Sequence, residues 1–150
     1  FSFLFFYFIA FTIYGLSKNS LAMSINGLLF IPCAYIVIGI VKFKKLNWKD
    51  YLSFMLSATT IPIMIFTDEK DLFLFIMLMA SMVTMIIQLI TMISNKSSGS
   101  VEFKFLIVFF TTAIFWLIYA IIVNNWPLIV FNIMAIIIYG SMSVLYKKYE

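Results

Sequence analysis

The sequence predicts an all-α, polytopic transmembrane protein, and three observations carry this prediction. Of its 150 residues, 65% are hydrophobic and 11% are charged, whereas an ordinary soluble domain has about 25% charged residues. The charged residues fall in short clusters separated by long uncharged stretches. Most of these stretches are long enough to cross roughly 30 Å of hydrocarbon as a helix, at about 1.5 Å per residue. We therefore expect six spans, at about residues 1–16, 20–41, 51–67, 72–94, 105–123 and 126–146.

Each boundary between spans has its own signal. Lys18 ends the first stretch, a lysine cluster at 42–49 ends the second, and charged residues at 68–71 end the third. The polar segment 95–104 ends the fourth stretch. Asn124 and Asn125 interrupt the last apolar run, and Pro127 suits the first turn of a new helix. Pro32 and Pro62 lie inside spans, so we expect them to kink or loosen their helices.

Composition also excludes several classes of function. The chain contains no histidine and only one cysteine, Cys33, so an internal disulfide is impossible and the commonest metal ligand and general base are missing. A soluble enzyme and a nucleic-acid binder do not fit this apolar composition. The cluster Asp68, Glu69 and Asp71 contains Lys70 and is interpreted as a solvated external loop rather than a metal site. We expect no catalytic residues, no metal and no cofactor.

The lysines predict the orientation in the membrane. One predicted side carries only Lys18 and Lys70, and Lys70 has acidic neighbours. The opposite side carries eight lysines, a strong positive-inside bias. We therefore expect an integral protein of the plasma membrane with a cytoplasmic C-terminus. The eight are Lys42, Lys44, Lys45, Lys49, Lys96, Lys104, Lys147 and Lys148.

An internal repeat is visible in the spacing of Tyr and Asn. Tyr14 precedes Asn19 by five residues, and Tyr119 precedes Asn124 by the same interval, 105 positions later. Each copy is predicted to be a helix out, a tight external turn and a helix back. With two spans between the copies, the layout becomes two parallel triple-helix bundles joined by a linker helix, the first bundle lacking its leading helix. The predicted parts are 1–45, 46–70 and 71–150, and we expect the missing helix upstream of Phe1.

Polar and aromatic residues at one depth mark a candidate binding site. Asn132 lies eight residues after Asn124 and Trp116 eight before it, so both should lie roughly 12 Å below the external turn. In the first copy, Asn26 and Phe11 lie at similar distances from Asn19. Amides can hydrogen-bond the hydroxyls of a neutral sugar and aromatic rings can pack on its apolar face. The alternative is that each Asn only stabilises helix packing through an interhelical hydrogen bond.

The chain resembles the SWEET and SemiSWEET sugar transporters of the PQ-loop superfamily, over 71–150 as a complete triple-helix bundle and over 1–45 as the last two helices of another. The resemblance rests on Phe115-Trp116-Leu117-Ile118-Tyr119-Ala120, then Asn124-Asn125-Trp126-Pro127, then Asn132. It implies the parallel-bundle fold and a sugar site formed by Asn132, Trp116 and Asn26, with Phe11 as the first bundle's counterpart of the Trp. Ile87 replaces the proline of the family's Pro-Gln pair, and Asn125 replaces the acidic residue of its turn.

Together these features predict facilitative uniport of mono- or disaccharides by alternating access. The lack of an ionisable group near the centre of any predicted span argues against proton coupling. The alternatives are a PQ-loop carrier of another small polar solute, such as an amino acid, and a non-transporting membrane receptor or scaffold. The expected partners are a small neutral sugar and the lipid bilayer, without nucleic acid, and homo-oligomerisation stays open.

Overall fold

The computed structural model describes residues 2–98 and 101–149, and within these ranges every regular element is a helix. Phe1, with which the predicted first span begins, lies outside the described residues. The helices are α1 (Ser2–Ser17), α2 (Leu21–Gly27), α3 (Phe30–Phe43), α4 (Trp48–Ala58), α5 (Thr60–Phe66), α6 (Lys70–Asn95), α7 (Phe103–Ile122) and α8 (Trp126–Tyr149). The all-α prediction is confirmed.

Within the described residues, four segments are long and apolar enough to cross a membrane. They are Leu21–Phe43, Lys70–Asn95, Phe103–Ile122 and Trp126–Tyr149, and each covers one of the predicted spans. The predicted first span corresponds to α1, which has 16 residues, and the predicted third span to the pair α4 and α5. These apolar helices are consistent with an integral membrane protein. The count of six spans and the repeat layout stay predictions.

Two helices are interrupted just before a proline, as the sequence predicts. Pro32 has no N–H to donate to the carbonyl of Leu28, and that carbonyl instead accepts from Ile31 N at 2.9 Å. The chain tightens at Leu28 and Leu29, between α2 and α3. Before Pro62 the break falls at Thr59, between α4 and α5.

The chain divides into two compact units, Phe1–Leu74 and Phe75–Glu150, so the division falls inside α6. In the first unit α1 is central, because it contacts α2, α3, α4 and α5. Burial follows this arrangement: α1 contributes Phe6, Tyr7, Ala10, Phe11 and Tyr14 to the core. Helices α4 and α5, which cover the predicted linker helix, therefore pack within the first unit.

The second unit is built from α6, α7 and α8. Helices α7 and α8 form an antiparallel hairpin with the most extensive helix contact in the unit, and methionines fill the gap toward α6, as flexible thioethers do in irregular cores. Phe75 of α6 also packs on Trp126 of α8, with ring centroids 5.1 Å apart. The buried core consists of Met82, Met92, Leu106, Ala113, Ala135, Ile138 and Met142.

Candidate substrate site

The turn between α7 and α8 positions the second half of the candidate site. Asn124 adopts a left-handed backbone, with φ of 51°, and Asn125 N donates to Ala120 O at 2.9 Å. Val123 N donates to Tyr119 O at 3.0 Å. A left-handed residue with such a back-bond ends a helix tightly. Asn125 Oδ1 then accepts from Leu128 N at 3.1 Å, which caps α8.

Asn132 lies in α8, two turns after this cap. Its side chain is only 4% exposed, and its amide Nδ2 donates to Leu128 O at 2.7 Å. An Asn side chain has two N–H donors and one carbonyl acceptor, so this bond uses one of its hydrogen-bonding groups. Pro127 and Leu128 are buried beside the cap. The arrangement fixes the Asn132 amide inside the second unit at a defined depth below the turn.

Trp116 lies on α7, the other helix of the same hairpin. Its side chain is half-buried, and its ring meets Tyr119 edge-on, with centroids 5.4 Å apart. Asn132 follows the turn by as many residues as Trp116 precedes it. The two residues therefore belong to one unit and lie at similar depths on neighbouring antiparallel helices.

Phe11 and Asn26 belong to the first unit. Phe11 is 2% exposed and packs between Tyr7 and Tyr14, with ring centroids 5.9 and 6.5 Å away. Asn26 is half-buried, one residue before the end of α2. The structure therefore places two candidates in each unit, and the predicted joint site of all four stays a prediction.

The first hairpin repeats the turn of the second. Asn19 has φ of 52°, Ser20 N donates to Gly15 O at 2.8 Å, and Lys18 N donates to Tyr14 O at 3.1 Å. Ser20 Oγ accepts from Met23 N at 3.2 Å and caps α2. Each of these bonds has its counterpart 105 residues later. The repeat inferred from spacing is therefore also a repeat of local backbone geometry.

The shared caps agree with the register that the interval of 105 residues gives. With Ser20 matched to Asn125, Gly27 corresponds to Asn132 and Asn26 corresponds to Phe131. Gly27 packs against α1 so closely that an added Cβ would clash with Thr12. Asn26 consequently lies one residue away from the counterpart of Asn132, a rotation of about 100° around the helix.

A polar cluster at the end of α1 was not singled out from the sequence. Tyr14 Oη donates to Asp71 Oδ1 at 2.8 Å, and Lys18 Nζ lies 2.8 Å from the same oxygen. Asp71 is in the first turn of α6. The sequence pattern predicts that it lies, with Asp68 and Glu69, in a solvated external loop. The signal that could have found the cluster is the interval of four residues from Tyr14 to Lys18, which puts both on one helix face.

The chain is similar in sequence to one known protein over part of its length. A stretch of 58 residues is 36% identical to the uncharacterized protein MJ0110 of Methanocaldococcus jannaschii. It covers 39% of this chain and 62% of that protein, so the chain spans less than two thirds of the relative's length. No protein-family model matches the chain, and no solved structure matches it significantly.

Proposed function

We propose that this protein is a facilitative transporter of a small neutral sugar, working as a uniporter by alternating access. The observation that carries the proposal is the duplicated hairpin, in which both turns share the left-handed Asn, the back-bond and the side-chain cap. Parallel internal repeats are a recurring architecture of secondary transporters, whose substrate sites lie near the bilayer midplane at the repeat interface.

The proposed membrane arrangement is the six-span layout with two parallel triple-helix bundles, a linker helix and a cytoplasmic C-terminus. The Lys147–Lys148 pair at the end of α8 and the lysines after α3 support this orientation. The relative from Methanocaldococcus jannaschii is about a third shorter than this chain, because the same stretch is 62% of one and 39% of the other. That size suits one bundle better than two.

The proposed site consists of Asn132 and Trp116 from the second bundle, with Asn26 and Phe11 from the first. Burial of the Asn132 amide in an apolar unit supports a binding role, because its remaining hydrogen-bonding groups gain strength where water is excluded. The half-buried Trp116 ring supplies an aromatic face at similar depth. The predicted spans have no acid, base or histidine near their centres. A charged substrate would therefore find no side chain of opposite charge, and a coupled proton would find no group to bind. This favours a neutral substrate and uniport.

Transport by purified protein in proteoliposomes tests the proposal. We expect the wild-type protein to take up labelled monosaccharide without a pH gradient, and Asn132→Ala to reduce uptake to the level of empty liposomes. The matched control is Thr91→Ala in α6, because Thr91 is exposed and its hydroxyl bonds only its own helix, at Ile87 O. This control should transport normally.

Three outcomes would overturn parts of the proposal. Uptake that strictly requires a proton gradient would contradict uniport. Uptake of amino acids but not sugars would favour the alternative of a carrier for another polar solute. Normal uptake by Asn132→Ala, with its fold verified by circular dichroism, would reduce Asn132 to a packing residue.

A further inference from the structure

A cleft of about 610 Å³ opens where α3 ends and α4 begins, within the first unit. Its volume falls in the range of roughly 300–1,000 Å³ that is usual for small-molecule sites. Most of its wall is apolar and comes from three helices and the loop after α3. The apolar lining residues are Phe3, Val37, Ile40, Val41, Leu46 and Phe54.

A fixed ion pair lies in the wall of this cleft. Lys44 Nζ contacts Asp50 Oδ1 at 3.1 Å, and Asp50 Oδ2 accepts from Asn47 N at 2.9 Å as part of a capping box at the start of α4. The hydrogen bond from the Asn47 backbone, followed by that from Lys44, holds the pKa of Asp50 below its usual range. An ammonium group has three N–H donors, and the contact with Asp50 uses one donor of Lys44.

The surroundings of the cleft are basic and aromatic. The segment 42–50 contains Lys42, Lys45 and Lys49 besides Lys44, and Asp50 is the only carboxylate in this segment. Trp48 is 69% exposed at the start of α4, as expected of an aromatic side chain at a membrane–water interface. A soluble anion would gain nothing from the apolar walls, and a zwitterionic lipid would gain little from the excess of lysines.

We propose that this cleft binds an anionic phospholipid. The phosphate would accept hydrogen bonds from Lys44 and its basic neighbours, while an acyl chain would lie along Val37, Val41 and Phe54. Basic pockets between helices at the cytoplasmic surface of membranes bind acidic headgroups in this way. The inference rests on the contacts of the first unit and on the proposed membrane orientation, and it does not depend on sugar transport.

Lipid titration of the full chain in detergent, followed by native mass spectrometry, tests this site. Phosphatidylglycerol is the probe, and phosphatidylcholine with matched acyl chains is the neutral control. We expect phosphatidylglycerol to bind more tightly, and Lys44→Gln/Lys45→Gln to weaken its binding by roughly tenfold or more. The matched control is Lys147→Gln/Lys148→Gln, which removes an equal charge at the end of α8 and should leave the affinity unchanged.

A second variant tests the cleft rather than its charge. Val41→Trp should fill the apolar wall and reduce phosphatidylglycerol binding although every lysine is retained. Equal losses in the two lysine double variants would show attraction to the whole surface and overturn the site. Equal binding of the two lipids would also overturn it, and so would competition by millimolar glycerol phosphate, which would identify a soluble ligand.

Discussion

The two helical hairpins of this protein turn in the same way but differ in the residues at which their helices meet. In the first hairpin, Gly15 packs against α2, and an added Cβ there would lie 2.6 Å from Ser24 N. In the second hairpin the corresponding residue is Ala120, which is fully buried. The turn is thus specified by local residues, whereas the residue tolerated at the contact between the helices differs from one hairpin to the other.

The same contrast recurs about two turns after the caps. The first hairpin has Gly27 where the second has Asn132, so backbone meets backbone in one and a polar side chain is enclosed in the other. A buried amide can thus be present in one hairpin and absent from the other while both keep the same turn. The pairing of Asn26 with Asn132 is therefore a similarity of depth and not of helix face.

The strongest test of this contrast is Gly27→Ala. Its Cβ would clash with Thr12 Oγ1 and would lie 2.7 Å from Thr12 N, and a backbone nitrogen cannot move aside cheaply. We expect the free energy of unfolding to fall by about 3 kcal/mol, near the upper end for overpacking. Denaturant unfolding in micelles, followed by circular dichroism, measures the change.

Gly39→Ala in α3 is the matched control, because an added Cβ there meets no atom within 4 Å. Its effect should be a gain of about 0.5–1 kcal/mol from helix propensity alone. Equal unfolding curves for the two variants would mean that the helices of the first hairpin are not in close backbone contact.

The second prediction concerns the shared turn. Asn19→Val and Asn124→Val each place a β-branched residue at φ near 50°, a conformation in which such side chains are strained. We expect each to cost about 2 kcal/mol. Replacing either Asn by Gly should cost little, since glycine adopts this conformation freely.

We expect the two valine variants to lose equal free energy of unfolding, because both Asn side chains are exposed and both turns have the same backbone hydrogen bond. A large cost in one hairpin and none in the other would show that the turns are equivalent in sequence only.

How far the sequence anticipates the structure depends on whether the signal is local. Asn124, Asn125 and Pro127 mark the second turn, and Pro32 and Pro62 mark the breaks before α3 and α5, because each acts on the backbone within a few residues of itself. The constant interval of 105 residues also gives the register of Asn26, which corresponds to Phe131. The close approach of Gly27 to Thr12 could not be predicted in the same way, because a contact between helices has no signature in the spacing of polar residues.

The candidate site shows the same limit. Asn132 lies in the apolar helix α8, where Leu128 and Ala135 are also buried. Phe11 lies among Tyr7 and Tyr14 on the most buried helix of the first unit, and its burial arises because α1 is surrounded by α2, α3, α4 and α5. Such a central position depends on the arrangement of all the helices and cannot be inferred from one apolar stretch.

The third prediction concerns the hydrogen bond between Tyr14 of α1 and Asp71 of α6. Tyr14 Oη bonds the Asp71 carboxylate at 2.8 Å, and Tyr14→Phe should lower the free energy of unfolding by about 1.5 kcal/mol, as for a hydrogen bond to a charged group. Tyr35→Phe is the control, because Tyr35 is 75% exposed, and it should have no measurable effect. If Tyr14→Phe unfolds like the wild type, Asp71 does not restrain the end of α1.

The smallest effects are expected at the caps. Ser20→Ala and Asn125→Ala each remove the side-chain oxygen that accepts from the third residue of the following helix, Met23 N or Leu128 N. Loss of such a cap costs about 1 kcal/mol. Asn125 is only 8% exposed, whereas Ser20 is half-buried, so water can replace the lost oxygen more readily in the first hairpin. We therefore expect Asn125→Ala to cost more than Ser20→Ala, and Asn125→Ser to recover most of the difference because it restores an oxygen at the cap. A larger loss for Ser20→Ala would mean that exposure of the cap to water does not set the cost, and the two turns would then differ in more than their surroundings.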